Sequence, residues 1–147
     1  SNFIKGLRVT EKETIKVVEQ VLIEFNSEII EALKEQQCTS QTINSKENNI
    51  MTVVQENTEL GFVGTPIEIN KSVIDKIVDE KKVPVIAPLG LDENNQAYNI
   101  NADTAAGSIA KKILVKMKKK KLLDILNFIK IYTIIFLNCV KGIKKTL

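Results

Sequence analysis

A short run of polar side chains, Asn99, Asn101 and Asp103, is the stretch whose residue types and spacing best suit it to binding chemistry. The polar groups come first, and small apolar residues follow them up to Gly107. This order is typical of a strand that leaves a sheet, turns and enters a helix. Open α/β sheets bind ligands at the carboxyl ends of their strands. One interpretation is therefore that the three polar side chains face a ligand.

The same stretch also has a purely structural interpretation. Asp103 is a favourable N-cap, because its carboxylate can accept hydrogen bonds from the unpaired N–H groups of the next turn. Small residues then follow on the predicted helix and would let it lie close against a sheet; they are Ala105, Ala106, Gly107 and Ala110. Spacing alone does not decide between a ligand site and a capped helix with a small-residue packing face.

Hydrophobic periodicity predicts the elements that must position this stretch. A capping box at Thr10–Glu13 begins a helix over 11–36, which Asn26-Ser27 could break into two. The other predicted elements are strands at 39–43 and 50–55 with a turn at Asn48-Asn49, a β segment at 61–69, a helix at 71–80 capped by Asn70 with Val73, Ile74, Ile77 and Val78 inward, a buried parallel strand at 83–89, and a turn at 92–95. Alternation of strands and helices predicts an α/β fold.

Four sequence blocks carry a resemblance to a known family. Residues 99–107 read Asn-Ile-Asn-Ala-Asp-Thr-Ala-Ala-Gly, and residues 83–90 read Val-Pro-Val-Ile-Ala-Pro-Leu-Gly. Residues 6–10 read Gly-Leu-Arg-Val-Thr, and residues 60–69 read Leu-Gly-Phe-Val-Gly-Thr-Pro-Ile-Glu-Ile. In this order the blocks resemble the acetylglutamate kinases of the amino acid kinase family. The resemblance covers about residues 3–113.

The resemblance implies a fold and an activity. The fold is a partial three-layer αβα sandwich of the amino acid kinase type, with residues 1–112 as the partial amino-acid-substrate domain. Acetylglutamate kinases transfer the terminal phosphoryl group of ATP, used with Mg²⁺, to the side-chain carboxylate of N-acetyl-L-glutamate in arginine biosynthesis. A cytoplasmic enzyme is expected, forming a homo-oligomer when intact, with no nucleic-acid partner.

Three residues match functional positions of the family. Arg8 lies where the substrate-binding arginine lies, and a guanidinium holds a carboxylate through two parallel hydrogen bonds. Asn99 matches the substrate-binding asparagine, whose amide both donates and accepts. Asp103 matches the residue that orients the catalytic lysines. We expect Arg8 and Asn99 to converge on one pocket with Asp103 at its edge, and Gly61–Gly64 to form a hairpin beside it. Without the resemblance, Arg8 would read as a surface ion pair and Gly61–Gly64 as a turn.

The rest of the family's machinery does not match this sequence. The family places a catalytic lysine and a Gly-Gly phosphate loop upstream of Phe3, and a second lysine and the adenine-binding segments downstream of the Asn99 block. Lys116–Lys121 does not match the context of that second lysine. We therefore expect a truncated kinase, inactive alone. The alternatives are a non-catalytic degenerate remnant, a membrane-attached binding module, or a related kinase acting on glutamate, aspartate or carbamate.

Charge divides the chain unevenly. Residues 1–112 carry 12 Lys and Arg against 17 Asp and Glu, whereas residues 113–147 carry 9 against 1. The segment 113–147 follows no family pattern and is predicted to form one or two helices. Most of its residues are types encoded by A/T-rich codons, for which a shifted reading frame or a broken gene is the preferred explanation. A membrane segment at Leu122–Val140 is the competing interpretation, although Asp124 and Lys130 would each cost about 2.5–3.5 kcal/mol at mid-bilayer.

Composition excludes some classes of chemistry. The chain contains no His, which excludes His-based acid–base catalysis and His metal ligands, and no metal site is predicted. Cys38 and Cys139 lie far apart and form no Cys-x-x-Cys, which is typical of a reducing cytosol. A chain of 147 residues is one domain by length.

Overall fold

A computed structural model of the protein describes residues 3–4 and 7–114, with only the backbone at Phe3, Arg8 and Leu114. Apart from its first two positions, the predicted helical tail at 113–147 lies outside the described residues.

Two compact units divide the chain, Ser1–Ile109 and Ala110–Leu147. All the strands and the first two helices belong to the first unit. The second unit is described only over Ala110–Leu114, which is the end of the last helix. The sequence boundary between residues 112 and 113 stays a prediction.

The described part of the chain forms eight strands and three α-helices. In chain order these are β1 (Phe3–Ile4), β2 (Leu7–Arg8), α1 (Lys12–Glu35), β3 (Ser40–Ile43), β4 (Met51–Gln55), β5 (Gly64–Ile69), α2 (Lys71–Asp79), β6 (Val83–Ile86), β7 (Leu89–Leu91), β8 (Ala97–Asn99) and α3 (Ala102–Leu114). A single 3₁₀ turn, Thr58–Leu60, lies between β4 and β5. The predicted α/β class is confirmed.

The strands pair in three sheets. β3 and β6 run parallel, with Ile43 opposite Ile86, and β1 and β2 form a small antiparallel pair. The third sheet has the order β5-β4-β7-β8. Its pairs are antiparallel except β4 with β7, which run parallel where Thr52 meets Leu91. Parallel pairing is therefore present as predicted, but the four-stranded sheet is mixed.

The apolar run at 83–89 is two strands rather than the single predicted one. β6 ends at Ile86, and the Ala87 N–H still donates to the Ile43 carbonyl at 2.9 Å. Pro88 then has no N–H to continue the ladder. The chain leaves the β3–β6 pair there, and Leu89 begins a strand of the four-stranded sheet.

α1 is one continuous helix, so the predicted break at Asn26-Ser27 is wrong. Asn26 is buried and donates its amide N–H groups to β3 and β6, so it does not compete for the helix backbone. The predicted cap at Thr10 is also wrong, because Glu11 is the N-cap residue and makes no side-chain capping bond. Thr10 instead forms a β-bridge with Gly61.

α2 begins after Asn70 as predicted, but the Asn70 side chain makes no capping bond to the helix backbone. Its Oδ1 accepts a hydrogen bond from the Ser72 hydroxyl at 2.6 Å. Ile74 and Ile77 are buried, whereas Val78 is 46% exposed and was wrongly predicted to face inward. Val78 lies about 100° round the helix from Ile77, at the edge of a narrow apolar stripe.

One core cluster supports the region around the β6–β7 crossing. Ile15 of α1 is buried against Ala87 and Leu89. Half-buried apolar side chains pack against these three; they are Val18, Leu22, Phe62 and Ala97. The inward face of α1 therefore holds the crossing and the beginning of β8 in one apolar contact.

Candidate functional site

The turn between β8 and α3 is built by Asn101. Its Oδ1 accepts hydrogen bonds from the N–H groups of Asp103 and Thr104, at 3.0 and 3.1 Å. Asn101 therefore caps α3, and the prediction that Asp103 is the cap was wrong. Both residues have the chemistry of a cap, and the helix starts early enough at Ala102 for the first of them to act.

Asp103 lies in the first turn of α3 with an exposed side chain. Within the described part of the chain, its carboxylate makes no hydrogen bond and no ion pair. A negative charge is favoured at this end of a helix, where the unpaired N–H groups carry partial positive charge. Released from capping, the carboxylate is available to a cation.

The small-residue face of α3 packs only in part. Ala105 is 4% exposed, whereas Ala106 and Gly107 are exposed, and a Cβ built on Gly107 meets nothing within 4 Å. The predicted packing face is therefore confirmed at Ala105 and wrong at Ala106 and Gly107. The reason is helical periodicity, since consecutive positions lie about 100° apart round the axis.

Backbone hydrogen bonds bring three of the distant sequence blocks together. The Thr10 N–H donates to the Leu60 carbonyl at 3.0 Å, and the Phe62 N–H donates to the Thr10 carbonyl at 2.7 Å. The Asn99 N–H donates to the Phe62 carbonyl at 2.9 Å. Gly61–Val63 thus bridges the segment that follows Arg8 to the end of β8. We call residues 61–63 the bridge segment.

Gly61 is required by this close approach. Its φ is +68°, and a Cβ there would collide with the carbonyl oxygen of Thr10. Gly64 is also confined, because a Cβ there would lie 2.9 Å from the Tyr98 Cβ and 3.1 Å from the Val53 Cβ. β4 and β5 pair antiparallel on either side of this connection, so the hairpin is confirmed, whereas its place beside the substrate pocket stays a prediction.

Asn99 is half-buried at the end of β8, where it pairs with Leu89. Its backbone N–H is used by the bridge segment. Its side-chain amide makes no hydrogen bond to another residue in the part of the chain that the structure describes. The amide is therefore able to bond a ligand, and its substrate-binding role stays a prediction.

The neighbouring Tyr98 is a packing residue. It is buried, and its ring centroid lies 5.6 Å from that of Phe62. Burial raises the pKa of the Tyr98 hydroxyl above its usual value, and the nearby Asp92 carboxylate raises it further. Tyr98 therefore stays neutral and holds the bridge segment against β8.

Arg8 is the part of the predicted site that the structure leaves open. Its backbone lies in β2 opposite Phe3, two residues before the Thr10 bridge. Its side chain lies outside the described residues, so convergence of Arg8 and Asn99 on one pocket stays a prediction at the level of side chains.

A separate cavity of about 600 Å³ lies beside α2. It is lined by Gln41, Asn48, Ser72, Val73, Lys76, Ile77, Glu80 and Lys82. Neither Asn99 nor Asp103 lines it. Lys82 donates to the Glu80 carboxylate at 2.6 Å and holds the pKa of that group below its usual value. Because neither described candidate residue lines this cavity, we do not identify it with the predicted substrate site.

The described residues contain neither a metal-binding cluster nor a membrane-spanning helix. Nowhere among them do three His, Cys, Asp or Glu side chains come close enough to hold a metal ion. None of the described helices has the length and apolar character needed to cross a membrane.

Curated relatives match most of this chain. The acetylglutamate kinase of Pelagibacter ubique (strain HTCC1062) is 62% identical over 125 residues, covering 85% of this chain and 42% of the relative. The acetylglutamate kinase of Roseobacter denitrificans is 41% identical over 111 residues, covering 75% of this chain and 39% of the relative. The chain thus spans about two fifths of the length of these relatives.

Solved structures share the fold. The protein smu.665 from Streptococcus mutans UA159 superposes with a TM-score of 0.73 at 28% identity, covering 77% of this chain and 47% of that one. An N-acetylglutamate synthase from Neisseria gonorrhoeae, solved with coenzyme A and N-acetyl-glutamate, gives 0.60 at 19% identity, covering 74% and 26%. At that identity the synthase supports the fold alone.

The family match covers most of the chain. The sequence model of the amino acid kinase family matches residues 1–120, which extends seven residues beyond the predicted end of the resemblance at Ile113. The bridge between the Thr10 and Asn99 blocks and the αβα-type neighbours agree with that match. The chain therefore belongs to the amino acid kinase family.

Proposed function

We propose that this chain is the central part of an acetylglutamate kinase and carries most of the site for N-acetyl-L-glutamate. The bridge segment is the single observation that carries the proposal, because it ties the Arg8 block to Asn99 through the backbone. Nothing local in the sequence would join two segments some ninety positions apart. The 62% identity to an acetylglutamate kinase supports this acceptor over glutamate, aspartate or carbamate.

Each candidate residue has a distinct role in this proposal. Arg8 binds a carboxylate of the acceptor through two parallel hydrogen bonds, which a lysine would not reproduce. Asn99 orients the acceptor through its side-chain amide, which has no partner in the described part of the chain and can donate and accept together. Asp103 positions the catalytic lysines of the intact site and does not touch the acceptor. Its carboxylate is exposed and makes no hydrogen bond or ion pair to any residue that the structure describes, which supports that role.

The proposed reaction is phosphoryl transfer from ATP, used with Mg²⁺. A side-chain carboxylate oxygen of the acceptor bonds to the γ-phosphorus, and the bond from that phosphorus to the bridging oxygen of ADP breaks. Catalysis of this kind depends on positioning and on neutralising charge. Arg8 and Asn99 supply positioning of the acceptor, whereas the lysines and the Gly-Gly loop that neutralise charge match no segment here. We therefore expect this chain to bind the acceptor with little or no turnover. We propose a place in arginine biosynthesis, and assembly into a homo-oligomer, only for the intact enzyme.

Titration of the chain with N-acetyl-L-glutamate, followed by amide NMR shifts, tests the proposal. We expect weak saturable binding with the largest shifts around Asn99, and weaker binding of L-glutamate, which lacks the acetyl group. Asn94→Ala, in the exposed β7–β8 turn, serves as a control and leaves binding unchanged. Equal affinity for both ligands, or no saturable shift, would refute the assignment of the acceptor.

A further inference from the structure

Asn26 is a buried amide in the middle of the apolar face of α1. It is 4% exposed, and its Nδ2 donates to the Thr42 hydroxyl at 3.0 Å. The same nitrogen donates to the carbonyls of Ile43 at 3.3 Å and Val85 at 3.1 Å. These three acceptors belong to β3 and β6, so one side chain joins the helix to both strands of the parallel pair.

An apolar residue would be the ordinary choice at this position, because Leu22 and Ile29 continue the apolar spacing of α1 on either side. A buried amide is tolerated only when its hydrogen bonds are made. Asn26 meets that condition, although two N–H groups serve three acceptors and at least one bond is shared. Packing alone does not explain the residue.

A path of hydrogen bonds leads from Asn26 to the candidate site. The Ile43 carbonyl that accepts from Asn26 also accepts from the Ala87 N–H at 2.9 Å. Pro88 follows Ala87, and its carbonyl accepts from the Ile100 N–H at 2.9 Å. Ile100 stands between Asn99 and Asn101, the two residues that shape the turn into α3.

We infer that Asn26 is a positioning residue for the Asn99–Asn101 turn. It fixes the ends of β3 and β6, and the Ala87-Pro88 crossing then holds Ile100 and sets where the Asn99 amide lies. The effect on N-acetyl-L-glutamate rests on the proposed function, whereas the effect on the turn does not.

The test compares the whole chain with Asn26→Leu, which keeps much of the volume and removes both donors. Hydrogen exchange of the Ile100 amide reports on the turn, and affinity for N-acetyl-L-glutamate reports on the site. We expect exchange at Ile100 to speed up by about tenfold beyond the change in global unfolding, and affinity to fall by about tenfold. Ile77→Ala in α2 is the control, since it removes a buried apolar side chain and destabilises the fold but leaves every hydrogen bond of this path in place.

Two results would overturn the inference: Ile100 exchange that follows global unfolding equally in Asn26→Leu and Ile77→Ala, or unchanged affinity in Asn26→Leu. Should Asn26→Leu not fold, Asn26→Ser keeps one donor and is expected to show the same selective exchange in milder form; unchanged protection of Ile100 there also overturns it. Absence of N-acetyl-L-glutamate binding by the unaltered chain refutes the proposed function alone, because the exchange result still decides the role of Asn26.

Discussion

Asn26 and Asn99 place the same side chain in opposite situations. Asn26 is buried between α1 and the β3–β6 pair, with its N–H groups used by three acceptors. Asn99 is half-buried at the end of β8, and its amide makes no hydrogen bond within the described residues. A satisfied buried amide fixes a fold. An accessible amide that has no partner among the described residues is what is expected where a ligand supplies the missing partner.

The bridge segment ties the Thr10 segment to the Asn99 end of β8, so breaking it should have the largest effect. Gly61→Ala is expected to lower the free energy of unfolding by about 2–4 kcal/mol, because alanine is strained at positive φ and its Cβ meets the Thr10 carbonyl. Urea denaturation followed by circular dichroism measures this change. Gly107→Ala is the matched control and is expected to raise stability by about 0.5–1 kcal/mol, since its Cβ enters open space in a helix. Equal unfolding midpoints for Gly61→Ala and the unaltered chain would show that the bridge segment adapts.

The sequence predicted much of the fold and the order of the blocks that form the candidate site. The apolar runs predicted most strands and two helices closely, because their side chains alternate or recur with a fixed period. The family resemblance gave the order of the blocks. The sequence does not decide between Asn101 and Asp103 as the cap, because either residue can cap and a shift of two positions in the helix start separates the two cases.

Long-range partners were also outside the reach of sequence reasoning. The sequence predicts Asn26 to be a helix breaker, because its acceptor at Val85 lies 59 positions away and cannot be inferred locally. The sequence predicts Thr10 to be a helix cap, because no neighbouring residue indicates its β-bridge to Gly61. In both cases a polar residue near a helix was assigned a local role, whereas the fold supplied a distant partner. An asparagine at a position where the helical spacing of apolar residues predicts another apolar residue is the one sequence signal that could have identified Asn26.

Replacing Arg8 should separate ligand binding from folding. Arg8→Ala is expected to weaken the binding of N-acetyl-L-glutamate by about a hundredfold, because two charge-assisted hydrogen bonds are lost. Binding would then no longer be detectable. Arg8→Lys should weaken it by about tenfold, since a fork is replaced by a point charge. Isothermal titration at low salt measures both. Affinity in Arg8→Ala equal to that of the unaltered chain would remove Arg8 from the site.

Asn99→Ala should lower the affinity for the ligand without lowering stability, whereas Asn26→Leu should affect the fold and, through it, the affinity. Its amide has no partner in the described chain, so we expect a change in unfolding free energy within about 0.5 kcal/mol. Affinity for N-acetyl-L-glutamate should fall by about tenfold, because the ligand loses a donor and an acceptor. Paired denaturation and titration measure the two effects. Lost stability with unchanged affinity would mean that Asn99 belongs with Asn26 among the structural amides.

Asp103→Asn should have the smallest effect on binding, because the proposed partners of Asp103 are lysines and not the acceptor. We expect affinity for N-acetyl-L-glutamate to stay within about twofold of the unaltered chain. The free energy of unfolding should fall by about 0.3–1 kcal/mol at low ionic strength, because a negative charge leaves the first turn of α3. That loss should shrink as salt screens the interaction. Glu93→Gln, an exposed carboxylate in the β7–β8 turn, is the matched control, and it should change neither quantity. A large loss of affinity in Asp103→Asn alone would place its carboxylate against the acceptor, and the division of labour proposed for the three residues would then be wrong.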